Sequence, residues 1–246
     1  FKPGTESDVS RYFRLLATAD SVVCISAYAR ESIWSRLRRD RILPCTIAHP
    51  GGDHVAAVSG TASKFETFDS SRPVRFCRVG TMEARKSPVE IAEGFAAAVD
   101  AGVTAELVFV GGPSASDASI NSRIRSLITK GYPIEWIECA TDLEVARIIA
   151  QSDVFLSVGT EGYGIPALEA IGLGTPVLFS GVQPAAELMV GSGSTEIEFG
   201  DLRSLFTKYS KSEEIIHLVS EIEKNKIPLW SDFSAEIEHA VRKALN

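Results

Sequence analysis

The sequence predicts a doubly wound α/β fold, in which a parallel β-sheet is covered by helices on both faces. Two observations support this fold class over residues 73–228. Short apolar runs alternate with segments whose apolar residues recur at helical spacing. Within the runs, successive residues are apolar, which is typical of strands that are buried on both faces of a sheet.

The predicted strands are apolar runs rich in β-branched or aromatic residues and bounded by turn residues. They lie at 21–26, 45–49, 74–80, 106–112, 134–139, 154–159, 176–181 and 195–199. Apolar stripes at helical spacing predict further helices at 29–39, 120–128, 215–222 and 230–241. Ser87 and Thr141 each open a capping-box pattern, with Glu three residues later, and Pro88 stands at a first helical position.

The polar segment 51–72, rich in Gly, Ser and Thr, is a predicted linker. It divides the chain into an N-terminal part, 1–72, a main domain, 73–228, and a C-terminal helix, 229–246. The chain opens with Phe-Lys-Pro-Gly, without Met and without a secretory signal. We therefore expect it to be a piece of a longer protein.

Composition and charge exclude several classes of protein. The 25 Lys and Arg against 32 Asp and Glu give a formal net charge of −7, which disfavours binding to nucleic acid. No apolar run approaches the ~18 residues of a membrane span, so we expect peripheral membrane contact at most. The cysteines, at 24, 45, 77 and 139, lack the spacing of a disulfide framework or zinc site. Buried, reduced thiols and a cytoplasmic location are expected.

Two loops after predicted strands carry residues suited to a phosphate. Parallel sheets bind ligands beyond the carboxyl ends of their strands. Gly80 ends one strand, and Arg85 and Lys86 stand directly before the next helix, where cations and a helix end favour a phosphate. A solvated basic pair is the alternative. In the second loop, Gly111 and Gly112 permit either a close approach to a ligand or merely a tight turn.

The third loop is the most specific stretch of the chain. A strand runs into Glu161, the segment 162–164 turns, Pro166 starts a helix, and Glu169 lies about one turn inside it. We expect both carboxylates to face one cleft and the amides of 162–165 to be free to donate hydrogen bonds. Carboxylates suit sugar or ribose hydroxyls because they accept hydrogen bonds at two oxygens. The alternative is a pair of surface glutamates beside a tight turn.

A dinucleotide-binding fingerprint competes for the same residues. Gly162, Gly164 and Ala167 fit its degenerate form, between a strand and a helix. That fingerprint also requires an acidic residue about 20 positions later, at the end of the next strand. Here the strand ends in Phe179-Ser180-Gly181. A nicotinamide enzyme is therefore disfavoured.

The stretch EGYGIPALEAIGLGTPV, at 161–177, resembles the E-G-F-G-L-P-x-x-E-A…G-x-P-V signature of the retaining glycosyltransferases of family 4. These have a GT-B fold of two Rossmann-like domains. VGTMEARKS, at 79–87, is similar to the family's first donor-domain loop, and residues 141–157 are similar to a later segment. Residues 19–37 and 49–53 resemble the end of the acceptor domain and its hinge. The resemblance covers the second half of a typical member.

The resemblance implies a role for each matching residue. Lys86, with Arg85, would bind the donor diphosphate, and Glu169 would hold the nucleotide ribose. Glu161, together with the backbone amides of 162–165, would orient the donor sugar. Gly80 would allow the chain to approach the phosphates closely. The donor-binding positions are thus Gly80, Thr81, Gly162, Tyr163, Gly164, Ile165 and Glu169, and the catalytic ones are Glu161, Lys86 and Arg85.

One departure bears on the substrate. Family members often have Arg after the first glycine, where this chain has Thr81, and Arg85 would take its place. The E-x-R-K form of this loop occurs in a subgroup with many mannosyltransferases, which favours GDP-mannose over a UDP-sugar as donor. The implied reaction is retaining sugar transfer in polysaccharide biosynthesis, with no metal and no cofactor.

Implied partners are a nucleotide sugar, a glycan or lipid-linked acceptor, and an acceptor domain in the same or another chain. The implied location is the cytoplasm or the inner face of the membrane. The alternative is a non-catalytic nucleotide-sugar-binding module or a partner-dependent subunit.

Overall fold

The computed structural model describes residues 6–36, 44–55, 71–223 and 226–245. The helices in these ranges are α1 Glu6–Thr18, α2 Ala27–Trp34, α3 Pro88–Asp100, α4 Ala118–Thr129, α5 Asp142–Gln151, α6 Ile165–Gly172, α7 Ala186–Met189, α8 Leu202–Tyr209, α9 Ser212–Ser220 and α10 Trp230–Leu245. The strands are β1 Val22–Cys24, β2 Cys45–Ile47, β3 Val74–Val79, β4 Ala105–Val110, β5 Ile134–Ile137, β6 Val154–Val158, β7 Val177–Ser180 and β8 Ser194–Glu196. Within the same ranges, no helix combines the length and the hydropathy needed to cross a bilayer.

The chain divides into two compact units. One comprises Phe1–Gly51 together with Pro228–Asn246, and the other comprises Gly52–Ile227. The domain boundaries expected from the sequence stay predictions, because residues 56–70 of the expected linker lie outside the described residues.

The first unit contains a pair of parallel strands, β1 and β2. The helix between them, α2, begins after Ser26, whose hydroxyl accepts a hydrogen bond from the N–H of Ala29. This is a common N-cap and satisfies one of the free donors of the first turn. This helix, expected at 29–39, begins two residues earlier and ends at Trp34, with Ser35 as its C-cap. Residues 37–43 lie outside the described residues.

The second unit is built on a six-stranded parallel sheet with the strand order β5-β4-β3-β6-β7-β8. The doubly wound fold expected from the sequence is confirmed. From β3 the chain builds outward through β4 and β5, and then returns to the other side of β3 with β6. The carboxyl ends of β3 and β6 are therefore neighbours at the point where the winding direction reverses, which is where such sheets bind ligands.

Apolar side chains cover both faces of this sheet, as continuous apolar runs predict. One face packs against α3, α4, α8 and α9, with Phe206 edge-on to both Phe76 and Phe95 at ring-centroid distances of 4.9 and 5.1 Å. The other face packs against α5, α6 and α7, where Phe155 and Phe179 are among the buried residues. The sheet therefore holds its edge loops on a rigid support.

Several local elements differ from the expectations. The capping box expected at Ser87 is wrong: Ser87 closes a 3₁₀ turn, Ala84–Lys86, in the left-handed region at φ 51°, and its side chain makes no capping bond. Pro88 does lie at the start of α3. The capping box at Thr141 is confirmed. Helices α1, α7 and α8 were not expected; α7 and α8 span only four and eight residues, whereas the 13 residues of α1 carry a clear apolar stripe that was missed.

The expectation that the cysteines are buried is correct for two of the four. All four are free thiols, with Cys24 and Cys77 buried, Cys45 half-buried and Cys139 exposed. The Sγ atoms of Cys24 and Cys45 lie 3.6 Å apart on the neighbouring strands β1 and β2. Burial, reinforced by Cys45, raises the pKa of the Cys24 thiol to about 12. Cys139 follows the end of β5 and lies outside the apolar layer.

A buried carboxylate joins the starts of β3 and β6, at the edge of the sheet opposite the ligand-binding one. Asp153 is fully buried and accepts two hydrogen bonds of 2.7 Å from Arg72. It accepts a third, of 2.9 Å, from the backbone N–H of Arg75. Such a bidentate pair is strong, and its loss leaves a buried charge without a partner ion.

We expect Arg72→Met to lower the free energy of unfolding by about 3 kcal/mol, because it removes the counter-ion of a buried carboxylate. The matched control is Arg123→Met, which breaks the exposed pair with Glu93 and should cost about 0–1 kcal/mol. Urea unfolding of both variants measures the difference. Equal losses would show that the Asp153 site contributes no more than a surface ion pair.

Candidate functional site

The carboxyl edge of the sheet is lined by glycines with positive φ. Gly80, Gly111, Gly159 and Gly181 follow β3, β4, β6 and β7 with φ of 134°, 138°, 96° and 79°. A Cβ atom on Gly111, Gly159 or Gly181 would lie 2.4 Å from a carbonyl oxygen of a neighbouring loop. The loops therefore approach one another backbone to backbone, and only glycine allows this approach together with the left-handed conformation.

Three cations surround one carboxylate where the loops after β3 and β6 meet. Lys86 Nζ lies 3.0 Å from Glu161 Oε2, and Arg85 Nη1 lies 3.9 Å from the same oxygen. Arg78 Nη2 lies 3.8 Å from Glu161 Oε1. The structure thus brings together Arg85, Lys86 and Glu161, and adds Arg78. We call these four residues the cation cluster.

Backbone contacts hold the two loops of the cation cluster together. The N–H of Thr160 donates to the carbonyl of Arg85 at 2.6 Å, and Arg85 Nη1 donates back to the carbonyl of Thr160 at 2.6 Å. Arg85 Nε also donates to Glu83 at 2.6 Å. The side chain of Arg85 is therefore oriented before any ligand arrives.

Gln183 joins the loops after β6 and β7. Its Nε2 donates to the carbonyls of Ser157, Gly159 and Ser180 at 2.9, 3.2 and 3.0 Å. Its Oε1 accepts a hydrogen bond of 3.0 Å from the hydroxyl of Ser157. The side chain is buried, so one amide group satisfies several polar groups that water does not reach.

Burial disfavours the charged forms of Lys86 and Arg78 in the cation cluster. It lowers the pKa of Lys86, whereas the ion pair with Glu161 acts in the other direction. Burial also lowers the pKa of Arg78 to about 10, again opposed by Glu161. A phosphate bound near these cations would be less screened by water than on an open surface, so its attraction to them would be stronger.

Glu169 lies apart from the cation cluster. It is buried in α6, and no ion pair or hydrogen bond partners its carboxylate in the part of the chain that the structure describes. Burial raises the pKa of Glu169; His54 acts against this and Asp142 adds to it. His54 Nε2 lies 3.3 Å from Asp142 Oδ2. No contact among the described residues joins Glu169 to Glu161, so the expectation that they share one cleft stays a prediction.

The remaining predicted positions differ in what they expose. Thr81 is exposed after β3. The side chain of Tyr163 belongs to the apolar core, where burial raises the pKa of its phenol, and Ile165 packs partly against the same core. Gly162 and Gly164 have backbone N–H groups with no acceptor among the described residues. Gly162, Gly164 and Ile165 would therefore act through backbone or shape, whereas Thr81 presents an exposed hydroxyl.

Three polar residues near the predicted site were missed. Arg78 lies within an apolar run, and that contrast could have identified it. His54 and Asp142 come together only in the folded chain, 88 positions apart, and no short-range pattern predicts the pair. Among the described residues, no three His, Cys, Asp or Glu side chains form a metal-binding group. The prediction that no metal takes part stays a prediction.

We expect Glu169→Gln to raise thermal stability at neutral pH. Because the folded state raises the pKa of this carboxyl, it retains the proton to a higher pH than the unfolded state does. The free energy of unfolding therefore falls as pH rises from the unfolded pKa through the folded one. The Gln side chain has no charge to bury, so this decrease in the free energy of unfolding does not occur in the variant.

Melting temperatures of the wild type and the variant at about pH 4 and about pH 7 measure the effect, because the ordinary Glu pKa lies near the lower value. The advantage of Gln should grow with pH. Glu93→Gln, on an exposed part of α3, is the matched control and should show no such growth. A Gln variant that is less stable at about pH 7 would contradict the expectation.

Comparison with known proteins identifies the family. Residues 73–212 match the family model described as "Glycosyl transferases group 1". The chain is 28% identical over 182 residues to the GDP-mannose-dependent alpha-(1-6)-phosphatidylinositol dimannoside mannosyltransferase of Mycobacterium tuberculosis, covering 72% of this chain and 45% of that protein. It is 26% identical over 200 residues to the serotype-specific mannosyltransferase WbdA of Escherichia coli, covering 75% of this chain and 24% of WbdA. It thus spans less than half the length of these relatives.

Solved structures share the fold at low sequence identity. The structure of Anabaena Alr3699/HepE in complex with UDP and glucose has a TM-score of 0.78 and 13% identity, covering 98% of this chain and 68% of that one. A UDP-forming trehalose-phosphate synthase from Burkholderia xenovorans has a TM-score of 0.72 and 15% identity, covering 96% and 64%. The family model matches more than half of the residues of this chain. Together with the shared fold, this match shows that the chain belongs to the group 1 glycosyl transferases.

Proposed function

We propose that this chain binds a nucleotide sugar and forms the donor-binding part of a retaining mannosyltransferase, with GDP-mannose as the donor. The observation that supports this most is the cation cluster at the reversal point between β3 and β6. Its Lys86 and Arg85 are positioned to bind a diphosphate beside glycines that let a ligand approach the backbone. The mannosyltransferase relatives, one of them GDP-mannose-dependent, favour this sugar.

The proposed chemistry is the stabilisation of a leaving group. As the acceptor hydroxyl oxygen bonds to the anomeric carbon, the bond between the sugar and the diphosphate breaks, and the hydroxyl proton passes to the departing diphosphate. Negative charge grows on the diphosphate oxygens during this step. Lys86 and Arg85 neutralise it in a partly buried site, where oriented charges have most effect. In this proposal the two cations do so without a metal ion or cofactor. Glu161 turns its carboxylate to the sugar hydroxyls, and the sugar keeps its anomeric configuration in the product.

Glu169 is proposed to hold the ribose. Its buried carboxylate has no partner among the described residues, and two ribose hydroxyls would supply the hydrogen bonds that it lacks. The acceptor, a glycan or lipid-linked saccharide, would bind to a domain in the same or another chain, at the inner face of the membrane. Transfer requires both substrates to be held together, so we propose low turnover for these 246 residues alone.

Calorimetric titration of this chain with GDP and GDP-mannose tests the proposal. Glu169→Gln should weaken both ligands by about 10- to 100-fold, because it removes a charge-assisted hydrogen bond worth about 1.5–3 kcal/mol. Glu161→Gln should not weaken GDP, since its carboxylate is assigned to the sugar, but should remove any advantage of GDP-mannose over GDP. Glu93→Gln serves as the surface control. Failure of the wild type to bind GDP, UDP or ADP at millimolar concentration would overturn the proposed function.

Gly80→Ala tests the phosphate site separately. A Cβ atom on Gly80 would lie 2.8 Å from Lys86 Nζ, and φ there is +134°. The ammonium group must shift, so we expect GDP affinity to fall by about tenfold or more. Gly102→Ala is the matched control, because Gly102 also has a positive φ, of 93°, but nothing within 4 Å of the added Cβ. Gly102→Ala should lower the stability of the chain but leave its GDP affinity unchanged. Equal losses of GDP affinity in both variants would contradict the assignment of the phosphate site.

A further inference from the structure

Arg78 is the most deeply buried member of the cation cluster. It is the fifth residue of β3 and shares the parity of Val74 and Phe76, so it extends from the face of the sheet that packs on α3. Its side chain is 1% exposed, against 11% for Lys86 and 36% for Arg85. Lys86 and Arg85 can therefore meet a ligand from the cleft, whereas Arg78 lies behind them.

The hydrogen bonding of Arg78 is incomplete. Nη1 donates only a long bond of 3.5 Å to the carbonyl of Gly80, and Nε has no partner among the described residues. Buried arginines are normally paired and hydrogen-bonded, because an unpaired buried charge is costly. The closest carboxylate is that of Glu161, at 3.8 Å from Nη2. A shift of less than 1 Å would therefore convert this contact into a direct hydrogen bond.

The two oxygens of Glu161 face different cations. Oε2 faces Lys86 and Arg85, which the proposed function assigns to the diphosphate, and Oε1 faces Arg78. The proposed phosphate-binding cations are thus already paired with an internal anion. A diphosphate must draw Lys86 away from Glu161, which leaves a carboxylate with 11% exposure needing another counter-ion.

We propose that Arg78 is a positioning residue that keeps Glu161 in place as its permanent counter-ion while Lys86 and Arg85 turn to the donor diphosphate. This inference rests on the proposed function and extends it to a residue outside the family-like motifs of the chain. Arg78 does not touch the donor. It lowers the cost of the exchange by stabilising the Glu161 carboxylate that the other two cations leave behind, so that this carboxylate is held for the sugar.

The test compares GDP and inorganic pyrophosphate binding across variants of this chain. Arg78→Met should weaken both ligands by about tenfold, because Lys86 becomes the main counter-ion of Glu161. In the Arg78→Met/Glu161→Gln double variant that penalty disappears, and affinity should return to within about threefold of Glu161→Gln alone. Arg78→Lys keeps the charge and should remain within about threefold of the wild type. Arg78→Gln replaces Arg78→Met if the latter does not fold.

Arg75→Met is the matched control. Arg75 lies on the same strand and also has an Nε atom without a hydrogen-bond partner among the described residues, but its guanidinium forms ion pairs with Glu106 and Glu135, away from Glu161. It should leave the affinity for pyrophosphate unchanged. A double variant that stays as weak as Arg78→Met would overturn the inference, since Arg78 would then contact the diphosphate itself or merely support the strand. Unchanged binding by Arg78→Met would also overturn it.

A ligand-free experiment separates this inference from the proposed function. A double-mutant cycle on the free energy of unfolding compares the loss caused by Arg78→Met in the wild type with that in Glu161→Gln. The loss should be larger when the carboxylate is present. No coupling would overturn the inference even if GDP binds. Clear coupling in a chain that binds no nucleotide would retain the ion pair and reject the proposed function.

Discussion

The pairing of β3 with β6 is the constraint on which the rest of the site depends. These strands are separated by 74 positions in sequence, counted between Val79 and Val154 with their ends excluded, yet lie side by side because the winding reverses between them. Their following loops must then pass within backbone contact, which excludes a Cβ atom at Gly159. The same closeness places Glu161 beside Lys86. Fold topology, glycine placement and the electrostatics of the site therefore have one common cause.

The arrangement of the cation cluster favours a change of ion-pair partners more than it stabilises the fold. Surface ion pairs contribute little to the stability of the fold, and the attraction within a buried pair is largely offset by the desolvation of its charges. Here three cations share the carboxylate of Glu161, and Arg85 pairs with Glu83 as well, so one positive charge in excess of the two carboxylates lies next to the cleft. An anionic ligand would gain from that excess, whereas the carboxylate of Glu161 reduces the repulsion among the cations. Burial of Lys86 and Arg78 makes both effects stronger than they would be in open water.

Much of the fold could be predicted because strands buried on both faces appear as predominantly apolar runs, as in β6 and β7, and even the two arginines of β3 do not hide its apolar character. The closeness of Arg85, Lys86 and Glu161 followed from the rule that ligands bind beyond the carboxyl ends of parallel strands. Ser87 shows where local pattern fails: its left-handed backbone comes from the preceding 3₁₀ turn, which the capping motif does not report. The His54–Asp142 contact depends on tertiary packing alone, and no spacing in the sequence predicts it.

Gln183 carries a consequence for the chemical durability of the protein. Its amide nitrogen donates to the carbonyl oxygens of Ser157 in β6, Gly159 in the following loop and Ser180 at the end of β7. Hydrolytic deamidation would replace that nitrogen, whose two N–H groups are shared among the three acceptors, by an oxygen, and would leave an anion facing the same three carbonyls. The bonds that hold the loop after β6 would become repulsions, although the change amounts to one atom. Deamidation of this one side chain would therefore disturb both the loop after β6 and the carboxyl ends of the two strands that support it.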